Sequence, residues 1–245
     1  MTQQSEPSKL LVVPEDWNKA VAVVAHPDDL EYGAASAIAR WTAQGKEIVY
    51  LLVTRGEAGI DAMAPEKTGH LREQEELKSA AAVGVHQVEF LNYSDGVIEY
   101  GLPLRRDLAR AFRRHRPDFV IGQNYQITYR GGNFNMADHR AVGLATLDAA
   151  RDAGNRWIFP ELLEEGHERW NEIKYVAISG SPNLTHAVDV SGSLERGIAS
   201  LKEHKVYIEN LPFEFNPEEF LTWGAAAVGP RIGVDSAVGF ELFKM

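Results

Sequence analysis

The sequence predicts an α/β fold: a Rossmann-like, mostly parallel sheet flanked by helices, in a single domain over residues 1–245. Three observations predict it. Short apolar runs alternate with amphipathic helical segments, which is the βαβα order of a parallel sheet. The first of those runs, Val21–Ala25, is apolar at every position, as a strand covered on both faces is. A chain of 245 residues suits one large domain, and it buries enough apolar surface to need no disulfide or structural metal.

The elements follow in order. After Val21–Ala25, the segment Gly33–Gln44 has helical spacing, with Ile38 and Trp41 on one face and Gly45 where a C-cap belongs. Glu47–Thr54 reads as the next strand, Leu71–Val83 as a helix dense in Glu and Ala, and Val88–Leu91 as a strand. Leu104–His115 is helical and Phe119–Gly122 extended. Asp138–Ala153 is a helix opened by an acidic residue and stopped by Gly154. Strands near Tyr175–Ser179, Ala187–Val190 and Gly239–Phe243 and a helix at Leu194–His204 complete the set. Residues 1–18 read as an N-terminal extension. The aromatic, Pro/Gly-rich stretch Pro212–Ile232 reads as an irregular lid or an oligomer contact, and homo-oligomerisation is left open.

Composition removes several function classes. The formal net charge of −10 repels phosphate backbones and anionic lipid heads, so neither nucleic acid nor a membrane surface is an expected partner. The absence of cysteine removes thiol nucleophiles and Cys-type zinc sites and leaves His and carboxylates as metal ligands. The first residues, MTQQSEPSK, lack the apolar core of a signal peptide, and no apolar run approaches the roughly 20 residues of a membrane span. A cytoplasmic enzyme with a small-molecule substrate is the expectation.

Ligands bind at the carboxyl ends of the strands in such sheets, which singles out the loops 26–32, 54–61 and 123–139. A nucleotide fold places a glycine-rich turn after its first strand. Here the strand runs into His26-Pro27-Asp28-Asp29, one imidazole and two carboxylates within four residues. Pro27 restricts His26 to an extended conformation that aims its side chain out of the strand end. A catalytic zinc takes three N or O ligands and keeps a position for water. His26 and Asp29 supply two, and His139, at a helix start on the same sheet edge, is the third candidate. Asp28 is left over as a general base for an activated water. The plainer alternative is that Asp28 and Asp29 cap the following helix, but capping requires neither His26 nor a second Asp.

These residues carry a resemblance. Ala25-His26-Pro27-Asp28-Asp29 resembles the signature of the LmbE/PIG-L family of zinc-dependent N-acetylglucosamine deacetylases. Thr54-Arg55-Gly56-Glu57-Ala58-Gly59 is similar to its T-x-G-E-x-G loop. Arg72 to Val85, Tyr93-Ser94-Asp95-Gly96 and Leu201-Lys202-Glu203-His204-Lys205 resemble its later motifs. The resemblance implies a hydrolase that removes an acetyl group from an N-acetylamino sugar or glycoside. It implies Zn2+ on His26, Asp29 and His139, though Fe2+, Co2+ or Mn2+ suits the same donors. It further implies Asp28 as base and Arg55 and Asp95 as contacts to the sugar. The plain readings of the last two are a surface ion pair for Arg55 and a Ser-Asp-Gly turn for Asp95.

One departure stands out. The family's H-P-D-H is Met136-Ala137-Asp138-His139, and a Tyr common two residues before its first His is Phe134. A thioether can neither protonate a leaving group nor stabilise an oxyanion at neutral pH. Tyr125, Tyr129 and Arg130 stand just upstream as replacements. The apolar pair favours an alternative, the same metal-hydrolase scaffold acting on a non-sugar amide; a catalytically weak metal-binding relative would not need Asp28. His70, His86, His115 and His167 read as solvated.

Overall fold

The computed structural model describes residues 9–245 and contains one eight-stranded sheet. Its strands are β1 (Leu11–Val12), β2 (Lys19–Val24), β3 (Glu47–Leu52), β4 (Gln87–Phe90), β5 (Phe119–Gln123), β6 (Tyr175–Ser179), β7 (His186–Asp189) and β8 (Ala237–Lys244). They lie in the order β1-β7-β8-β6-β5-β2-β3-β4. All pairings are parallel except those of β8, which runs antiparallel to both β6 and β7.

β2 sits centrally because every residue of it past Lys19 is apolar. Ala20, Ala22 and Val24 pack into one core with Trp17, Ile38 and Trp41. Val21, Val23 and Ala25 pack on the opposite side with Leu108, Phe112 and Val142. Nine helices surround the sheet among the described residues: α1 (Asp29–Gly33), α2 (Ala35–Ala43), α3 (Pro65–Ala82), α4 (Leu102–His115), α5 (Ala137–Gly154), α6 (Glu161–Glu164), α7 (Leu194–Leu201), α8 (Lys205–Glu209) and α9 (Pro217–Val228). None of them is long and apolar enough to cross a membrane.

The chain moves outward one way from β2 through β3 and β4, then returns to place β5 on the other side of β2. That reversal is a topological switch point, where a crevice opens at the carboxyl ends of the strands. Gln123 spans it, its Oε1 accepting from the amide of Ala25 at 2.8 Å. The loop carrying His26 and the loop leading to His139 flank this crevice.

Several elements differ from the sequence reading. The single helix expected from Gly33 is two, broken at Ala34, whose φ of −134° is not helical. Gly45 does adopt the left-handed conformation that ends α2. The helix expected from Leu71 starts at Pro65, because Pro at the first position favours initiation. Pro212–Ile232 is not irregular. Asn216 Oδ1 accepts from the amides of Glu218 and Glu219 at 3.0 and 3.3 Å, Pro217 opens α9, and a 3-10 turn, Gly229–Ile232, follows. Asn-Pro-Glu-Glu is a helix start that the aromatic and Pro/Gly content masked. Of the expected N-terminal extension, residues 1–8 lie outside the described residues. The remainder joins the fold, β1 pairing with β7 and Trp17 buried in the core.

Candidate metal centre

His26, Asp29 and His139 converge. His139 Nε2 lies 3.0 Å from Asp29 Oδ1 and 3.2 Å from His26 Nδ1, and His26 Nδ1 lies 3.4 Å from Asp29 Oδ2. A zinc ion with bonds of about 2.0–2.1 Å holds tetrahedral donors about 3.3–3.4 Å apart, so these three suit one small divalent cation.

The outer partners of each imidazole decide which nitrogen offers a lone pair. His26 Nε2 faces Asp95 Oδ1 at 2.9 Å and Asp138 Oδ2 at 3.2 Å, so it carries the proton and leaves Nδ1 open in the neutral ring. His139 Nδ1 faces Asn135 Oδ1 at 3.2 Å and the Tyr129 hydroxyl at 2.6 Å. Asn135 is fixed by its own amide, which donates to the carbonyls of Asn124 and Gln126, so its oxygen is an acceptor and His139 presents Nε2 as a lone pair. In these neutral tautomers two imidazole nitrogens and a carboxylate meet, a donor set that could hold a cation. Burial opposes charge on Asp29, yet the two imidazoles hold its carboxyl far below the usual range. Burial also opposes charge on His26, but Asp29, Asp138 and Asp95 together raise its pKa well above the ordinary value, so a cation here would compete with a proton on Nδ1.

Asp28 does not cap a helix with its side chain. It is buried, with φ +91°, a left-handed conformation that costs a non-glycine residue roughly 1–2 kcal/mol. Neighbours hold it there. Its amide donates to Glu76 Oε2 at 3.2 Å, and its carboxylate lies 3.2 Å from the guanidinium of Arg72. Burial raises the Asp28 carboxyl to about 7 against the pull of Arg72, with Asp29 adding to the rise. A group so placed exchanges protons near neutral pH.

Arg72 explains the glycines of the 54–59 loop. It donates to the carbonyls of Gly56 and Pro27, and a Cβ at Gly56 or Gly59 would lie 2.3 or 2.4 Å from its Nη1. Glu57 ties the same loop to the next, accepting from the amide of Asp95 at 2.9 Å. Asp95 in turn accepts from the amide of Ala58 at 2.8 Å. Arg55 turns elsewhere. It pairs with Glu73 at 2.9 Å, donates to Asn92 and lines a separate hollow with Glu66, His70 and Ser94.

Behind Asp28, His204 is fully buried between Glu31 and Glu76, 3.7 and 3.6 Å from its Nε2. Burial, with Arg72 nearby, lowers its pKa to about 3, so the ring is neutral. Sequence reasoning missed the roles of Arg72, Glu76 and Asp138. The available signal was α3, whose buried face carries Arg72, Glu75 and Glu76 instead of an apolar stripe. Of the histidines read as solvated, His115 is instead buried, with Nε2 3.0 Å from Glu89 Oε1, because that face of α4 turns inward.

Asp29 and His139 open onto a cavity of about 450 Å³ walled by Tyr32, Tyr129, Arg130 and Phe220. Tyr129 therefore stands at the site. Tyr125 turns away to Glu241, and Phe134 and Met136 are exposed, 73% and 52%. Burial, together with Asp29 and Asp28, raises the Tyr129 pKa, so it remains a neutral phenol.

Comparisons with known proteins bear on the family and the fold. Diacetylchitobiose deacetylase of Thermococcus kodakarensis is 27% identical over 194 residues, covering 78% of this chain and 70% of that protein. The structure of N,N'-diacetylchitobiose deacetylase from Pyrococcus horikoshii is similar with a TM-score of 0.84, at 24% identity, over 94% of this chain and 85% of that one. The same fold also serves other chemistry. A 4-carboxy-2-hydroxymuconate hydratase from Pseudomonas putida matches with a TM-score of 0.74 at 18% identity, over 93% of this chain and 97% of that one. The family model described as "PIG-L: GlcNAc-PI de-N-acetylase" matches residues 21–150, more than half of the sequence and all of the segment that supplies the cation donors, and the chain belongs to that family.

Proposed function

We propose that this chain is a divalent-metal-dependent N-deacetylase that hydrolyses the acetamide of an N-acetylamino sugar or glycoside. The observation that carries the reading is the meeting of two imidazoles and the Asp29 carboxylate beside a buried carboxyl, Asp28, held against Arg72. A hydratase on this fold shows that fold alone does not choose the reaction. Membership in a family of de-N-acetylases and the naming of the Thermococcus relative favour amide hydrolysis.

His26, Asp29 and His139 would hold the ion, and zinc is our assignment for it. Bound there, a divalent cation polarises an amide carbonyl and acidifies water. The chain's own residues do the rest. Asp28 takes the proton from the attacking water as its oxygen bonds to the carbonyl carbon. It returns a proton to the nitrogen as the C–N bond breaks, leaving acetate and a free amine. Arg72 and Glu76 keep Asp28 in place. Asp95 and Asp138 orient His26, and Asn135 and Tyr129 orient His139. For Asp95 this replaces the sugar contact suggested by sequence, and Arg55 receives no part in the reaction. Tyr32, Phe220 and Tyr129 offer apolar faces on which a sugar ring can rest.

The test is metal content with turnover of N,N'-diacetylchitobiose or N-acetylglucosamine. We expect about one divalent ion per chain and chelator-sensitive release of acetate, both lost in His139→Ala. Full metal occupancy in that variant, or acetate release unaffected by a chelator, overturns the reading.

A further inference from the structure

The cavity at the cation donors has a neighbour. A second cavity of about 370 Å³ shares Tyr32, Gly33, Tyr129, Arg130, Gly180 and Phe220 with the first, so the two lie side by side. It runs between the start of α2, helix α9 and strand β8. Its own walls are Ala34, Leu184, Leu194, Leu221, Val228 and Val238.

Few polar groups there are available to a ligand. Ser181 donates to Glu241, and Glu31 Oε1 accepts from Ser79 and Ser200. Arg130, Ser36 and Tyr32 also line the space, but a sugar ring there would meet mostly apolar walls, and an unpaired buried polar group is costly. A hydrocarbon chain loses nothing there. Gly33, which lines both cavities, packs so closely on Ser179 that a Cβ there would stand 3.2 Å from its Cβ and Oγ. A Cβ at Gly224, on the α9 wall, would meet nothing within 4 Å, so that wall faces open space.

We propose that this inner cavity is a substrate subsite for an unbranched hydrocarbon chain, carried by the amide whose carbonyl sits at the cation centre. The inference rests on the amide-hydrolase reading above. Such a chain has two sources, an acyl group longer than acetyl or an alkyl aglycone, and both present the same chemistry to these walls.

Two substrate series separate them on the metal-loaded protein: N-acyl glucosamines from acetyl to octanoyl, and alkyl N-acetylglucosaminides from methyl to octyl. We expect kcat/KM to rise by up to about fourfold per buried methylene in one series, the series identifying the source. Gly224→Phe fills the space without a backbone clash and Val238→Phe fills it from β8; each is expected to flatten the rise while leaving turnover of the shortest substrate within about threefold. No rise in either series, or a rise that survives both variants, overturns the proposal. Calorimetric binding of octanoyl glucosamine and octyl N-acetylglucosaminide reads the subsite apart from turnover. A chain-length gain in affinity without hydrolysis of any member would keep the subsite and remove the amide-hydrolase reading.

Discussion

The two sides of the cation centre are built in opposite ways. On the α3 side, Asp28, Arg72, Glu76 and His204 are buried and interlocked, each touching at least one of the others. On the side formed by the β5–α5 loop, Phe134 and Met136 are exposed, and Gly131 and Gly132 both adopt positive φ. The buried side tolerates no replacement that changes charge or shape, because its low dielectric makes an unpaired group expensive. The exposed residues of that loop are free to vary without cost to the reaction centre, whereas Tyr129 and Asn135 of the same loop hold His139. Chemistry should therefore respond to changes on the first side, and substrate preference or stability to changes on the second.

The largest expected effect is at the base itself. Asp28→Asn keeps the shape and removes the proton acceptor, so kcat should fall by about 10²–10⁴-fold while the metal stays bound. Measured kcat with metal content decides it; near wild-type kcat would move the base elsewhere and erase the contrast between the two sides.

Glu76 comes next, as a positioning residue. Glu76→Ala leaves the amide of Asp28 buried without its acceptor, a loss of about 1–3 kcal/mol that frees a strained residue to relax. We expect kcat to drop at least tenfold with KM little changed. Burial and the nearby Glu31 hold the Glu76 carboxyl well above the usual range. Glu76→Gln, neutral and still an acceptor, should restore most of the activity. If Gln and Ala variants behave alike, Glu76 does not act through Asp28.

These two sides were not equally legible in the sequence. The parallel sheet, the switch-point loops and the meeting of His26, Asp29 and His139 followed from strand patterning and from what His-Pro-Asp-Asp can do at a strand end. Arg72 and Glu76 were not found, because they act on backbone groups of distant loops, and a helix with a polar buried face looks solvent-exposed to any pattern count. α9 was masked by its aromatic content. Met136 stands where the family resemblance implies a group beside the reacting bond, and it sits exposed at the N-cap of α5.

That position makes the smallest effects the most discriminating. Met136→His should change kcat on N-acetylglucosamine by less than about threefold, since nothing on the exposed side is built to orient a new imidazole. A gain of tenfold or more would mean that position 136 approaches the substrate and belongs to the reaction centre after all. Met136→Ser probes the same residue in its structural capacity. Met136 has the extended backbone of an N-cap, φ −66° and ψ 150°, yet its side chain makes no capping bond. A serine there offers an oxygen to the free amides of the first turn, which typically contributes about 0.5–2 kcal/mol. At roughly 2–4 °C per kcal/mol for a chain of this size, Tm should rise by about 1–8 °C with kcat unchanged. A rise in Tm accompanied by lost activity would show that the loop must move during turnover, and the division into a chemical side and a permissive side would fail there first.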